Sequence, residues 1–320
     1  MNKDVMISVR GVKRSFGKLE AVKGISFDIH RGQVVGFIGA NGAGKTTTMR
    51  MIATLEMPDE GDIYICGSDA VDDPNSVRSK IGWVPDDFGR YQNMTIVEYL
   101  DFFARAFDYQ DQERKNRIQE VMDFTGLTKL KDRFIDKLSK GQGQRVCLGR
   151  ALLHDPDVLL MDEPAAGLDP KARMELKNLI RILAEEGKTI FISSHILSEL
   201  SEICDTMIFL EQGEVLHHGG AEELKRGARE GVSVLVKILN DPQVLENWAD
   251  MNPGISLLDK TNKGGRLLFE QSSDDFLAET LKRMINEGIQ VIEFTQEETT
   301  LESAFVDLLN QAEDKELASK

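Results

Sequence analysis

Cysteine is scarce. Cys66, Cys147 and Cys204 are the only three, they lie far apart, and none forms a CxxC pair. A disulfide scaffold and a cysteine-based metal or redox centre are therefore not expected, and the thiols suit a reducing compartment. Long apolar runs are missing as well: no stretch of about 18 apolar residues occurs, so no transmembrane helix is expected. The opening residues, MNKDVMISVRGVKRSF, lack the apolar core of a secretory signal. Basic residues are outnumbered, 39 against 54, which leaves a net charge of −15. That balance argues against a nucleic-acid binder, whose affinity comes largely from neutralising phosphates. It also argues, more weakly, against direct attachment to anionic lipid. Repeats and low-complexity tracts are absent too. These absences together point to a cytoplasmic location.

What remains is 320 residues, 41% of them hydrophobic, enough for a medium domain and a small second one. Strands are expected over 5–10, 24–29 and 33–39, and a helix over 46–55. The stretch 95–125 reads as helical. VLLM (158–161) and TIFIS (189–193) are the short apolar runs of buried parallel strands, with a helix over 170–186 between them that ends at Gly187. Composition turns polar and glycine-rich over 217–230, where a boundary is expected. Beyond it, VSVLVKIL, ISLLDK, RLLFEQ and IQVIEF read as strands. Segments near 241–249, 273–288 and 301–312 read as helices, so a small α+β domain follows an α/β one.

Gly39-Ala40-Asn41-Gly42-Ala43-Gly44-Lys45-Thr46 matches GxxxxGK[ST], with an apolar strand before it and a helix after. Glycines let the backbone curl so that successive N–H groups point at phosphate oxygens, and the helix N-terminus adds positive potential. The bland alternative is a glycine-rich turn that binds nothing, and the flanking elements disfavour it. Lys45 is expected to reach the β- and γ-phosphates, Thr46 to offer its hydroxyl to Mg²⁺, and Asn41 and Thr47 to complete the phosphate-binding loop. Asp162 and Glu163 follow the run VLLM, at the end of a strand where parallel sheets bind ligands. Asp162 suits the Mg²⁺ side. Glu163, one residue on, suits a general base that polarises the attacking water. Without the phosphate loop upstream, the pair would be two capping acids. His195 follows another apolar strand, where an imidazole can hydrogen-bond a γ-phosphate; alone it would be an ordinary surface histidine. The His217-His218 pair reads as solvated polar surface rather than a metal site.

With LSKGQGQR at 138–145, these strings resemble the ATP-binding cassette (ABC) ATPases, the nucleotide-binding subunits of ABC transporters. The resemblance covers about residues 5–220, with five motifs in order. It implies a P-loop NTPase core with a mainly parallel sheet and with antiparallel β and helical subdomains. The cassette is placed at 1–225, its helical subdomain at about 88–145, and a small accessory α+β domain at 226–320. The family pattern LSGGQ stands here as Leu138-Ser139-Lys140-Gly141-Gln142, with Lys140 in place of a glycine. Ser139, Gly141 and Gln142 are thereby implied to contact ATP held by a second cassette in a head-to-tail dimer, with two copies of this chain as the expected pair. Ala166-Gly167-Leu168-Asp169 matches the D-loop, which implies that Asp169 communicates across that dimer.

Phe16 stands where the family has an aromatic that stacks on adenine; ordinary core packing remains open for it. IGWVPD (81–86) aligns with the segment that usually ends in the Q-loop glutamine, but carries Asp86. That carboxylate is expected to act as a metal-side ligand, where it could also raise the pKa of Glu163 by like-charge proximity; the alternative is a different loop register with Asp86 pointing away. Phe102, Phe103 and Phe107 are expected to pack the helical subdomain's own core, whereas Phe88 and Tyr91 are expected to meet a partner. ETTLESAFVDLLN (298–310) resembles the ending of ABC-2 exporter cassettes. The implied function is ATP hydrolysis with Mg²⁺, coupled to a separate integral-membrane permease subunit, with this chain peripheral on the inner face of the membrane. The alternatives are a soluble ABC-type ATPase in a non-transport assembly and a nucleotide-gated assembly protein with little turnover. A single cassette without heptad tracts or zinc cysteines disfavours the first; Glu163 disfavours the second.

Overall fold

The alternation VMISVR opens β1 (Val5–Phe16), which runs on past the expected end and pairs antiparallel with β2 (Leu19–His30). β3 (Val34–Ile38) leads into α1 (Lys45–Ile52). The computed structural model describes residues 4–87, 89, 91–221, 223–224, 231–271, 273–297, 301, 303–305 and 308. Most of the helix expected over 301–312, and Phe88, lie outside them. β4 (Glu60–Ile65) and β5 (Ser68–Asp69) complete a first sheet of order β2-β1-β4-β5. There follow α2 (Pro74–Arg78), β6 (Ile81–Val84), α3 (Ile96–Ala106), α4 (Asp111–Phe124), α5 (Lys140–Leu152), β7 (Val158–Met161) and α6 (Pro170–Glu185). β8 (Thr189–Ser194), α7 (Leu197–Leu200), β9 (Thr206–Glu211) and β10 (Glu214–Gly219) end this part of the chain.

The second sheet has the order β10-β9-β3-β8-β7-β6. β3 lies parallel between β8 and β9, β7 lies parallel to β8 and β6, and β10 runs antiparallel at the edge. Every residue of β3, β7 and β8 is buried. Covered on both faces, such strands need apolar residues throughout, so they read as unbroken runs. Side chains from both sheets and from α1 share one core. In it the rings of Phe27, Phe37 and Phe191 stand 5.0–6.1 Å apart.

Two expectations are made more specific here, and a third, for Phe102, is corrected. The stretch 95–125, expected to be helical, holds two helices, α3 and α4. Asp108 and Asp111 take positive φ of 62° and 29°, which breaks the helix between Phe107 and Gln110. Asp101 then ties the two together, accepting hydrogen bonds from Arg105 and Arg114 at 2.7 Å each. Phe102 does not join the subdomain core. The buried stripe of α3 is Ile96, Tyr99, Leu100 and Ala104, which turns Phe102 outward, 55% exposed. Phe107 instead stacks on the His154 ring at 4.2 Å, and Phe103 meets Tyr99 edge-on at 4.8 Å. Finally, the polar stretch that begins at 217 opens in strand, and the division between the two compact units falls within 217–230. His217 and His218 belong to β10 and pair with Phe209 and Ile208. An edge strand half open to water needs no apolar run, which is why its composition resembles a loop.

The chain divides into two compact units, Met1–Ala221 and Glu222–Lys320. The second holds β11 (Val232–Ile238), α8 (Gln243–Asp250), β12 (Ile255–Thr261), β13 (Gly264–Phe269), α9 (Asp274–Asn286) and β14 (Val291–Glu297). Its sheet is antiparallel, of order β12-β13-β11-β14. Val234, Val236, Leu267 and Phe269 pack from that sheet against Trp248, Leu277 and Met284 of the helices. This is the α+β arrangement expected from the sequence. Among the described residues, no helix is long and apolar enough to cross a membrane.

Candidate functional site

β3, β7 and β8 run parallel side by side, so the residues that follow them emerge at one edge of the sheet. That brings together loop 39–44, the Asp162-Glu163 pair and His195. The loop is tightly confined. A Cβ on Gly39 would lie 2.2 Å from the Leu210 carbonyl oxygen, and one on Gly44 would lie 2.4 Å from that of Ala21. Gly44 also sits at φ 106° as it opens α1, a conformation L side chains rarely adopt. Lys45 is buried. Its ammonium donates to the Gly39 and Ala40 carbonyls at 2.7 and 3.1 Å and stands 3.4 Å from Glu163 Oε1.

Asp162 is 3% exposed, and the nearby Thr46 hydroxyl favours its charged form. Burial holds its pKa above the ordinary carboxylate value. The bond from Ser193 and the Thr46 hydroxyl oppose that shift, whereas the charges of Glu163 and Asp86 add to it. The charge of Asp86 thus bears on Asp162. Glu163 adopts φ 47°, an uncommon conformation for a residue with a side chain. Ser193 holds this turn from both sides. Its hydroxyl donates to Asp162 Oδ1 at 2.6 Å and accepts the Glu163 N–H at 2.8 Å. The Glu163 carboxylate then lies between Lys45 and the His195 ring, whose Nδ1 is 2.8 Å from Oε2.

A cleft of about 380 Å³ opens over these groups. Phe16, Asn41, Gly42, Gly44, Lys45, Thr46, Thr47, Asp86, Glu163 and His195 line it, together with Leu19, Ala21 and Ala166. Gly39 and Asp162 do not line it: the Gly39 carbonyl accepts from Lys45, and buried Asp162 accepts from Ser193. Phe16 is 45% exposed, with the Arg14 guanidinium 4.9 Å from its ring centre, so core packing is not its role. Thr46, Asp162 and Asp86 offer oxygen atoms only, the donor set that suits a hard divalent cation such as Mg²⁺.

Ser139, Gly141, Gln142 and Asp169 do not line this cleft. Ser139 caps α5 in a reciprocal box with Gln142, and Asp169 caps α6, accepting the Ala172 N–H at 2.9 Å. The two helix starts form one block. A Cβ on Gly141 would lie 2.8 Å from the Ala172 Cβ, Lys140 lies against Gly167, and Arg145 pairs with Glu175. Lys140 and Asp86, the two departures from the family pattern, line one further cavity of about 470 Å³ with Asp87 and Asp136.

Residues 22–166 match the family described as ABC transporter. Over 212 residues the chain is 40% identical to the ABC transporter ATP-binding protein NatA of Bacillus subtilis, covering 66% of this chain and 86% of that protein. The chain belongs to the ATP-binding subunits of ABC transporters. It is accordingly an ATPase of the P-loop NTPase fold. Over 219 residues it is 36% identical to Nod factor export ATP-binding protein I of Ralstonia nicotianae, covering 68% of each. Among solved structures, it resembles a dimeric post-hydrolysis state of an ATP-binding cassette bound to ADP and Pi. The TM-score is 0.61 at 29% identity, over 67% of this chain and 98% of that one. Sequence reasoning missed Ser193. Its only signal was a small hydroxyl residue at the end of an apolar run, directly before Ser194-His195.

Proposed function

We propose that this chain is the energy-coupling subunit of an ABC-2-type exporter, hydrolysing ATP with Mg²⁺ and driving a separate integral-membrane permease subunit. The observation that carries the catalytic reading is the placement of Glu163, between Lys45 and His195 at the mouth of the phosphate loop. Glu163 orients and polarises the attacking water as general base, and His195 donates to the γ-phosphate while holding Glu163 in place. Lys45 exchanges its carbonyl partners for the β- and γ-phosphate oxygens, which loop N–H groups from Asn41 to Thr47 also bind. The ring of Phe16 stacks on the adenine. Thr46 and Asp162, with Asp86 on the near side, would hold Mg²⁺, which supplies charge neutralisation on the phosphates.

A second copy of this chain completes the site. Its Ser139, Gly141 and Gln142 bring a hydroxyl and a helix N-terminus to the γ-phosphate, and Asp169 communicates between the two sites. The cassette comprises residues 1–225 and the accessory domain 226–320. The permease holds the complex on the inner face of the cell membrane. The likeness to a relative named for Nod factor export supports the exporter reading. The net charge of −15 supports a partner other than nucleic acid.

Phosphate release by wild type and by Glu163→Gln tests the catalytic part, with at least ~100-fold loss of turnover expected. Equal rates overturn it. Glu163→Gln, purified from the native host's membranes with ATP and Mg²⁺, tests the coupling part. A polytopic membrane protein is expected in stoichiometric amount. Soluble partners alone would favour a non-transport assembly.

A further inference from the structure

Glu199 is a buried carboxylate that the site described so far does not use. It lies on α7, four residues beyond His195, and is 4% exposed. Its Oε2 accepts the Ser194 hydroxyl at 3.0 Å, and that hydroxyl in turn accepts the Ile196 N–H at 3.0 Å. The two bonds clamp the backbone on both sides of His195. The other oxygen, Oε1, faces Arg173 Nε at 3.3 Å. Neither of these two atoms makes a hydrogen bond among the described residues. Arg173 stands one turn into α6 and reaches back to the Leu168 carbonyl at 3.5 Å, inside the loop that carries Asp169. A charge this deeply buried requires a partner, and a facing pair that is close but misaligned is a contact with a better geometry within reach.

We propose that Glu199 and Arg173 form a positioning pair that links the Asp169 loop to His195. Movement of that loop shifts Arg173 through Leu168. Arg173 draws on Oε1 of Glu199, and Glu199 sets the Ser194–Ile196 turn that aims the His195 ring at Glu163. Neither residue touches nucleotide; both act through His195. This inference rests on the catalytic reading of Glu163 and His195 given above.

The test is steady-state phosphate release with purified full-length protein, together with equilibrium binding of ATP. Glu199→Gln keeps the shape and an acceptor for Ser194 but removes the charge that Arg173 meets. It is expected to lower kcat about tenfold while the ATP dissociation constant moves less than twofold. Arg173→Met, at a side chain one-third exposed, is expected to do the same without loss of folding. The double variant is expected to be no slower than the slower single, because each removes the same link. Arg173→Lys is expected to recover part of the rate. Wild-type kcat in Glu199→Gln overturns the proposal, as does equal loss of kcat and ATP affinity, or multiplicative losses in the double variant. Glu163→Gln in the same series separates the two layers. If it turns over like wild type, the catalytic reading fails. If it is inactive while Glu199→Gln is not impaired, the catalytic reading stands and the link alone falls.

Discussion

At the scale of single residues, the site is a set of charges whose positions are fixed by a few hydrogen bonds. Ser193 joins Asp162 to the Glu163 backbone, and Glu163 joins Lys45 to His195. Asp86 stands at the cleft wall in place of the glutamine the family carries there, and its charge opposes ionisation of Asp162. If Asp86 serves the cation, Asp86→Ala raises the Mg²⁺ concentration for half-maximal turnover by roughly fivefold, the equivalent of ~1 kcal/mol for one solvent-facing charge. A titration of turnover against Mg²⁺ at fixed ATP checks this; an unchanged midpoint and rate would remove Asp86 from the metal side. The residues that carry chemistry by type were legible in the sequence, because GxxxxGKT and DE after an apolar run have few other uses. Ser193 and the Arg173–Glu199 pair were not. Their roles depend on which atoms a parallel sheet brings face to face, and no spacing in the chain encodes that.

At the scale of elements, glycines and caps set how closely α5 and α6 approach. Gly141 leaves no room for a Cβ against Ala172. Gly141→Ala is therefore expected to destabilise the fold by ~1–3 kcal/mol, the usual cost of overpacking. Ala172→Gly in the same chain should recover most of it, and chemical denaturation of the single and double variants measures both. If Gly141 matters only for phosphate, the second change recovers nothing.

A pH dependence belongs at this scale as well. His154 follows α5, and its Nε2 bonds the Ile81 carbonyl of β6 at 2.8 Å. Burial holds its pKa below the ordinary 6.5. The unfolded chain then binds this proton more readily than the folded one. Stability is fully present above pH ~6.5 and declines as pH falls toward the folded pKa. His154→Gln keeps a donor for Ile81 and should flatten the fall in Tm between about pH 6.5 and 5.5. An unchanged slope would assign that fall to other groups. Buried strands were the easiest elements to read, since coverage on both faces demands unbroken apolar runs. The break between α3 and α4 and the strand through His217-His218 were hidden. Two aspartates at positive φ, Asp108 past the end of α3 and Asp111 at the start of α4, separate the helices without a glycine or proline, and an edge strand carries the composition of a loop.

At the scale of the whole molecule, the chain forms two units with separate cores, and the ATP chemistry lies in the first. That unit presents two distinct faces. One is the cleft around Lys45; the other is the block of helix starts that carries Ser139 and Asp169, none of whose residues line the cleft except through the nearby Ala166. In the head-to-tail pair of copies proposed above, each face would meet the other. ATP would then bind both subunits at once, and its affinity would become dimerisation energy. The deciding measurement is the mass in solution of Glu163→Gln, by light scattering or sedimentation, with and without ATP and Mg²⁺. The account predicts a 35.8 kDa monomer that doubles only when ATP is present, and that stays monomeric with ATP when Ser139 is also changed to Arg. A protein that remains monomeric at saturating ATP, or a dimer that forms regardless of nucleotide and of Ser139, would contradict it.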